Sequence, residues 1–229
     1  MAVSQYLEHL GIQIASGLVI NTSHINKFGF NPACSSNLET IWDSGGLYNY
    51  IETPGPATVA GASDTGAVVS VQGLDENYDF LTESVSVGGT TTNNFIRVFR
   101  LRLESHPTAE VNSGDITVTV DGAVRATMLA GKGQSLMALY TIPRRTTGYL
   151  VKFQGSIEKN QEIIFKLFSR RIDNGVFNLK GQFGSFGTPI TYDYPVPLLF
   201  KEKTDIEVRA LVGATAGAGA IFDLILVRN

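Results

Sequence analysis

The chain has 229 residues, a formal net charge of −3 and 17% charged residues, below the roughly 25% charge content of ordinary soluble domains. That balance argues against general nucleic-acid binding, which needs clustered Lys and Arg. Its one cysteine, Cys34, excludes an intramolecular disulfide framework, and no uncharged apolar run approaches the ~20 residues of a membrane-spanning helix.

In chain order, Ser4 to Leu10 predicts a short helix. Leu10 to Ile20 has the apolar character of a signal-peptide core, but Met1 to His9 carries Glu8 and no Lys or Arg, so secretion by that route is not expected. The Asn21-Thr22-Ser23 sequon then carries no meaning. The chain up to residue 63 is dense in Asn, Gly, Ser and Pro and predicts mostly irregular structure. It is too aromatic for a disordered linker, with Phe28, Phe30, Trp42, Tyr48 and Tyr50. A long irregular segment of this kind marks docking, on its own domain or on a neighbour. Pro54-Gly55-Pro56 and the cluster Gly61 to Gly66 form the predicted boundary. The expected organisation is a docking arm over 1–63 and a β domain over 64–229.

From Gly66 onward short strands alternate with turns. Gly66 to Gly73, Asp115 to Asp121 and Thr204 to Ala210 each alternate apolar and polar residues, giving one buried and one wet face. Asp121-Gly122 is a hairpin signal. Phe222, Leu224 and Leu226 alternate with Ile221, Asp223 and Ile225, so the last strand is apolar on both faces apart from Asp223. It reads as a central strand or one covered by a partner. The loop Gly213 to Gly219 reads as a mobile tip or a close contact surface. With roughly a dozen candidate strands, the expected fold is all-β: an antiparallel β-sandwich, jelly-roll-like, with an extended N-terminal segment.

Chemistry-bearing residues are sparse. His9, His24 and His106 show no zinc-ligand spacing. Cys34 lies in no protease signature, and its pairing with His24 or His106 is disfavoured. Ser185 in Gly184-Ser185-Phe186-Gly187 has the wrong glycine spacing for a nucleophile elbow and reads as a glycine-rich hairpin. Asp75, Glu76 and Asp79 form the best carboxylate cluster for Ca²⁺, without EF-hand spacing. Arg144-Arg145 and Arg170-Arg171 read as solvated turn or strand-end pairs. No catalytic, cofactor or metal site is expected, and the chain reads as an interaction or structural protein.

Several segments carry a resemblance. His24 to Pro32, followed by Glu39 to Tyr48, then Gly73-Leu74-Asp75, Glu83 to Thr90 and Lys203 to Ala210, stand in an order that resembles a group of β-rich bacteriophage virion proteins, many from aquatic phages. The resemblance covers most of the chain. It implies a capsid decoration or cement protein, made in the host cytoplasm and bound to the capsid surface, with the major capsid protein and copies of itself as partners. A homotrimer is the expected assembly, with neither nucleic acid nor membrane as a partner. Phe28, Phe30, Trp42, Tyr48 and Tyr50 would be the interface anchors, because large aromatics dominate interface energetics. The alternatives are a fibre or carbohydrate-binding module using Tyr192 and Tyr194, and a tail or neck component.

Overall fold

The computed structural model of the chain describes residues 10–229. The helix expected at Ser4 to Leu10 lies, but for its last residue, outside the described residues. Helix α1 (Leu10–Ala15) leads into β1 (Thr22–Cys34) and the two-residue β2 (Glu39–Thr40). There follow β3 (Gly55–Ala60), β4 (Val68–Leu74), β5 (Phe80–Ser86), β6 (Thr90–Phe95), β7 (Arg97–Ser105), β8 (Ile116–Val120) and β9 (Ala123–Met128). The remaining strands are β10 (Leu139–Thr141), β11 (Thr146–Ile157), β12 (Glu162–Arg171), β13 (Phe177–Phe186), β14 (Ile190–Phe200), β15 (Thr204–Val212) and β16 (Ala216–Arg228). The strand pairs are antiparallel. The fold is all-β.

The strands form two sandwiches, one inserted into the other. In the first, the sheet β1-β16-β11-β14 faces the sheet β10-β15-β12-β13, and β2 lies in line with β10 along β15. Leaving β2 aside, its strands in chain order run first-last-third-sixth in one sheet and second-seventh-fourth-fifth in the other. That is the jelly-roll order. Between the sheets, Phe153 of β11 meets Phe165 of β12 at 5.8 Å and stacks on Phe183 of β13 at 4.6 Å. Gly155 admits that aromatic layer: a Cβ there would stand 2.6 Å from the Phe165 ring.

The second sandwich, residues 55–128, pairs the sheet β6-β3-β8-β9 with the sheet β5-β4-β7. It enters the chain between the first two long strands of the jelly roll. Val59, Val69, Val71, Leu101, Ile116 and Val118 form its fully buried centre. At the β8–β9 turn, Asp121 (φ 53°) and Gly122 (φ 70°) both sit in the left-handed region, the backbone that a two-residue hairpin with native twist demands.

The expected division at 63/64 is corrected. Residues 22–34 are a thirteen-residue strand of the jelly roll, paired with β16 from Thr22↔Val227 to Cys34↔Ala216, and β3 belongs to the inserted sandwich. The predicted boundary cluster is a packed corner, where the buried Asp64 carboxylate accepts the N–H groups of Ser113 and Gly114. Strand β1 escapes the sequence pattern because its inward side chains are not an apolar stripe. Lys27 and Gly29 face inward, while Phe28 and Phe30 face outward. The buried Lys27 ammonium donates to the Phe99 carbonyl. A Cβ on Gly29 would meet the Ala138 nitrogen at 2.2 Å and the Ile41 oxygen at 2.3 Å, so only glycine lets the two crossing segments lie against β1.

The Gly184 to Gly187 turn is also corrected. It joins two strands, but β13 and β14 belong to different sheets, so the turn is a corner at the open side of the jelly roll and not a hairpin. Most of the Gly213 to Gly219 loop is strand as well, since β16 begins at Ala216 and buries Ala216 and Ala218 against β1.

Candidate functional site

Two regions concentrate the unusual side chains: the junction between the sandwiches, and the outer face of the β1-β16-β11-β14 sheet.

At the junction, β15 turns Ile206 and Val208 into the jelly-roll core and Asp205, Glu207 and Arg209 to its other face. That face is dry: Asp205 and Glu207 are 0% exposed. Arg97, from β7 of the inserted sandwich, grips Asp205 with two parallel hydrogen bonds, Nε to Oδ1 at 2.8 Å and Nη2 to Oδ2 at 3.0 Å. Thr141 donates to the same carboxylate at 2.6 Å, as does Arg170 of β12, also at 2.6 Å. Glu207 accepts the Tyr50 hydroxyl at 2.8 Å and the Arg209 guanidinium. Burial pushes the Glu207 carboxyl above its ordinary range against the pull of Arg209. Burial lowers the Arg97 guanidinium, but the Asp205 charge and hydrogen bonds outweigh it and the net shift is upward. Tyr50 lies between the cations, its ring 5.1 Å from Arg97 and 4.3 Å from Arg170. The network is sealed from solvent at its two carboxylates. It fastens one sandwich to the other.

The aromatic expectation divides here. Trp42, Tyr48 and Tyr50 are 5%, 6% and 7% exposed and belong to the chain's own core. They stack edge to face in series, Trp42–Tyr48 at 5.1 Å and Tyr48–Tyr50 at 4.9 Å, and Tyr48 donates to the Val98 carbonyl of the insert. As contact anchors for a partner these three are corrected, because their surface is already spent inside the chain. Phe28 and Phe30 differ: both are half-buried on the outer face of β1.

That outer face is built by strand register. Phe28 pairs with Ile221, which pairs with Gln154; Phe30 pairs with Gly219, which pairs with Ser156. The small residues in the second row leave a groove of about 380 Å³, walled by Phe28, Phe30 and Leu136 on one side and Pro189 and Ile190 on the other. No lining residue is charged. Next to it the face turns polar, where Asp223 accepts from His24 at 3.1 Å and Asn26 at 2.6 Å. Arg100 of the insert borders the edge of β1, donating to the Asn26 carbonyl and lying 5.9 Å from the Phe28 ring.

The other sequence candidates separate. Cys34 is fully buried, its thiol directed at the Ala210 carbonyl and pushed up to about 12, first by burial. His106 accepts the Thr108 and Ala109 N–H groups through Nδ1 and places Nε2 3.3 Å from Asp64; neither it nor His24 pairs with Cys34. Asp75 closes its own turn, accepting from the Asn77 and Asp79 amides, while Asp79 pairs with Arg144 at 2.7 Å. Ser185 donates to the Thr188 carbonyl within the corner. Tyr192 and Tyr194 pack edge to face at 4.8 Å beside Phe183 at the open side of the jelly roll. Of the basic pairs, Arg170 is corrected from solvated strand end to junction residue. Among the described residues no group of three His, Cys, Asp or Glu side chains converges on a metal position.

The junction was missed from sequence because Asp205, Glu207 and Arg209 read as an ordinary wet face. The only local hint is that two acids and an arginine share one face of β15.

No family model matches the chain, and no curated protein matches it. Solved structures do match, at low similarity. A structure of the infectious bursal disease virus Gt strain shares 12% identity at a TM-score of 0.27, covering 91% of this chain and 73% of that one. The D431N mutant VP2 protein of the same virus, in T=1 particles, gives 8% identity and a TM-score of 0.21, covering 90% and 73%. A lipoprotein of Bacteroides thetaiotaomicron gives 12% identity and 0.18, covering 90% and 95%. These scores establish no shared fold.

Proposed function

We propose that the chain is a non-enzymatic structural protein of a bacteriophage virion, a decoration or cement protein that binds the outside of the capsid shell and stabilises contacts between capsomers. The observation that carries this reading is where the apolar surface lies. Ten of the fourteen exposed large hydrophobic side chains among the described residues fall in two places. Leu10, Ile12, Leu18 and Ile20 precede β1; Val176, Leu179, Phe186, Tyr192, Val196 and Leu199 line the open side of the jelly roll. Scattered exposed hydrophobics need no explanation, but contiguous patches mark interaction sites.

Two further points support it. The ordered resemblance to β-rich phage virion proteins runs through β1, the 39–48 segment, the inserted sandwich and β15. The jelly roll, as a fold-level analogy only, is an architecture of viral capsid and lectin domains. In this reading the two fused sandwiches are a stiff body, and the grip is surface.

The test is binding of the purified chain to undecorated capsids, read by co-sedimentation and by the copy number per particle. Saturable binding at symmetric positions is expected. Binding to host cells or glycans with none to capsids would replace this reading with the receptor-binding one.

A further inference from the structure

We propose that β13 of one copy pairs antiparallel with β13 of a second copy about a twofold axis through Gly184, joining two jelly rolls through one continuous sheet. The inference rests on the reading of the open side as an interaction surface and names its occupant there.

The strand is an edge left open. β13 ends its sheet, with β12 on one side and, among the described residues, no strand on the other. A strand paired on one side only presents a row of unpaired N–H and C=O groups, a template for a further strand. Elsewhere the chain guards such edges. β14, the matching edge of the facing sheet, carries Pro195 and Pro197 and is broken by a bulge opposite Leu150 and Lys152. At β6, the Glu83 carboxylate accepts the Thr92 and Asn93 N–H groups. The first half of β13 is interrupted by a bulge at Lys180. Charges, prolines and bulges are the usual protections of an edge. From Gly181 to Phe186 there is none of them.

A second copy fits because the segment complements itself. Gly181, Phe183 and Ser185 are half-buried, while Gln182, Gly184 and Phe186 are exposed, so the two sets face opposite sides of the sheet. A twofold through Gly184 sets that residue opposite itself, Phe183 opposite Ser185 and Gln182 opposite Phe186. Every pair then joins residues of one face; a one-residue slip would set inward against outward. Phe186, 63% exposed, comes to lie diagonally across Gly184 of the other copy, within the reach of an aromatic ring. Space is free there, since a Cβ on Gly184 would meet nothing within 4 Å.

The flanking charges agree. Lys180 adjoins one end of the segment, and Glu162 of β12 pairs with Phe186 at the other. Both are exposed, and neither makes an ion pair among the described residues. The twofold brings Lys180 of each copy to the Glu162 end of its partner, so opposite charges flank both ends of the joint. The size also suits a dimer. β13 and β14 have ten and eleven residues, together matching the roughly 20–30 that each side of a stable interface uses. Phe183 leans on Tyr192 of β14 at 5.5 Å, which sets the exposed edge of the second layer beside the same joint.

The experiment uses the full chain and two variants, Gly184→Lys and Gly184→Glu, at a position open enough to accept either side chain. Sedimentation velocity should show a dimer for the wild type. Each variant alone should self-associate at least about tenfold more weakly, because the axis sets like charges face to face. Their equimolar mixture should recover the dimer, since Lys then meets Glu. That reciprocal rescue also shows that both variants are folded. A monomeric or trimeric wild type, variants that dimerise like the wild type, or a mixture as weak as either variant alone would each overturn the inference. Capsid binding of the wild type is scored in parallel. A monomer that decorates capsids would sink the strand pairing and leave the capsid reading standing; a dimer that binds no capsid would do the reverse.

Discussion

Strands β15 and β16 follow one another in the chain, lie centrally in opposite sheets of the jelly roll, and send one face each into the same core. Their other faces are inverted relative to expectation. The second face of β15 carries Asp205, Glu207 and Arg209 and is sealed; that of β16 carries Ile221 and Ile225 and is half open. The polarity of a strand face therefore does not say whether it is wet. It says what kind of cover suits the face. On β15 the cover is the chain itself, the inserted sandwich with Arg97 and the crossing segment with Tyr50. On β16 the described residues cover Ile221 and Ile225 only in part.

The contrast is broken most severely at Asp205. Asp205→Ala strands Arg97 and Arg170 without their carboxylate, and removing one partner of a buried pair costs about 3–5 kcal/mol. Chemical denaturation should show that loss, and a cost under about 1 kcal/mol would mean the β15 face is wet after all. The double variant Asp205→Leu, Arg97→Met should be less damaging than the single one, because it removes a buried charge with its main partner.

A pH effect comes next. The Asp43 carboxyl lies where the chain crosses between the sandwiches, accepting the Leu136 amide through one oxygen and leaving the other without a hydrogen-bond partner. Burial pushes its pKa from 3.8 to about 7. The folded state thus holds a proton that the unfolded chain has released, and stability falls as pH climbs from near 4 to near 7. Glu207, also shifted upward by burial, acts in the same direction. The readout is therefore the difference between Asp43→Asn and the wild type. The variant should gain on the order of 2 kcal/mol relative to the wild type across that window. Parallel pH profiles would show that Asp43 does not titrate there.

Smaller still is Tyr50→Phe, which removes the hydroxyl from Glu207 and should cost about 1.5 kcal/mol, the low end for a hydrogen bond to a charged group. The smallest effect is predicted on the other strand. Ile225→Ser on the open face should change the stability of the isolated chain by less than about 1 kcal/mol, near the surface range. A loss of core size there would show that the chain covers the face itself.

How much of this the sequence disclosed follows from how local the signal is. Strand periodicity needs only neighbouring residues, so β11, β12, β15 and β16 are legible, as is the Asp121-Gly122 turn. Strand β1 is not, because its inward positions hold Lys27 and Gly29, residues chosen by the Phe99 carbonyl and by the crossing segments at Ile41 and Ala138. The aromatic run from Phe28 to Tyr50 is legible as sticky but not as to what it sticks to. Two of its five rings face outward and three belong to the core. Deleting residues 1–50 would remove an entire jelly-roll strand and those three rings, so it tests folding rather than docking. Leu10, Ile12, Leu18 and Ile20 can be altered without touching the core.

By itself, then, the sequence determines an all-β chain with alternating strands, short turns, low charge and an aromatic N-terminal stretch. Each of these is written in the spacing of near neighbours. Only the tertiary structure decides that residues 55–128 are an insertion, that the acidic face of β15 is dry, and that the apolar face of β16 is half open. Those outcomes depend on pairings such as Thr22 with Val227 and Arg97 with Asp205, across separations at which no local pattern survives.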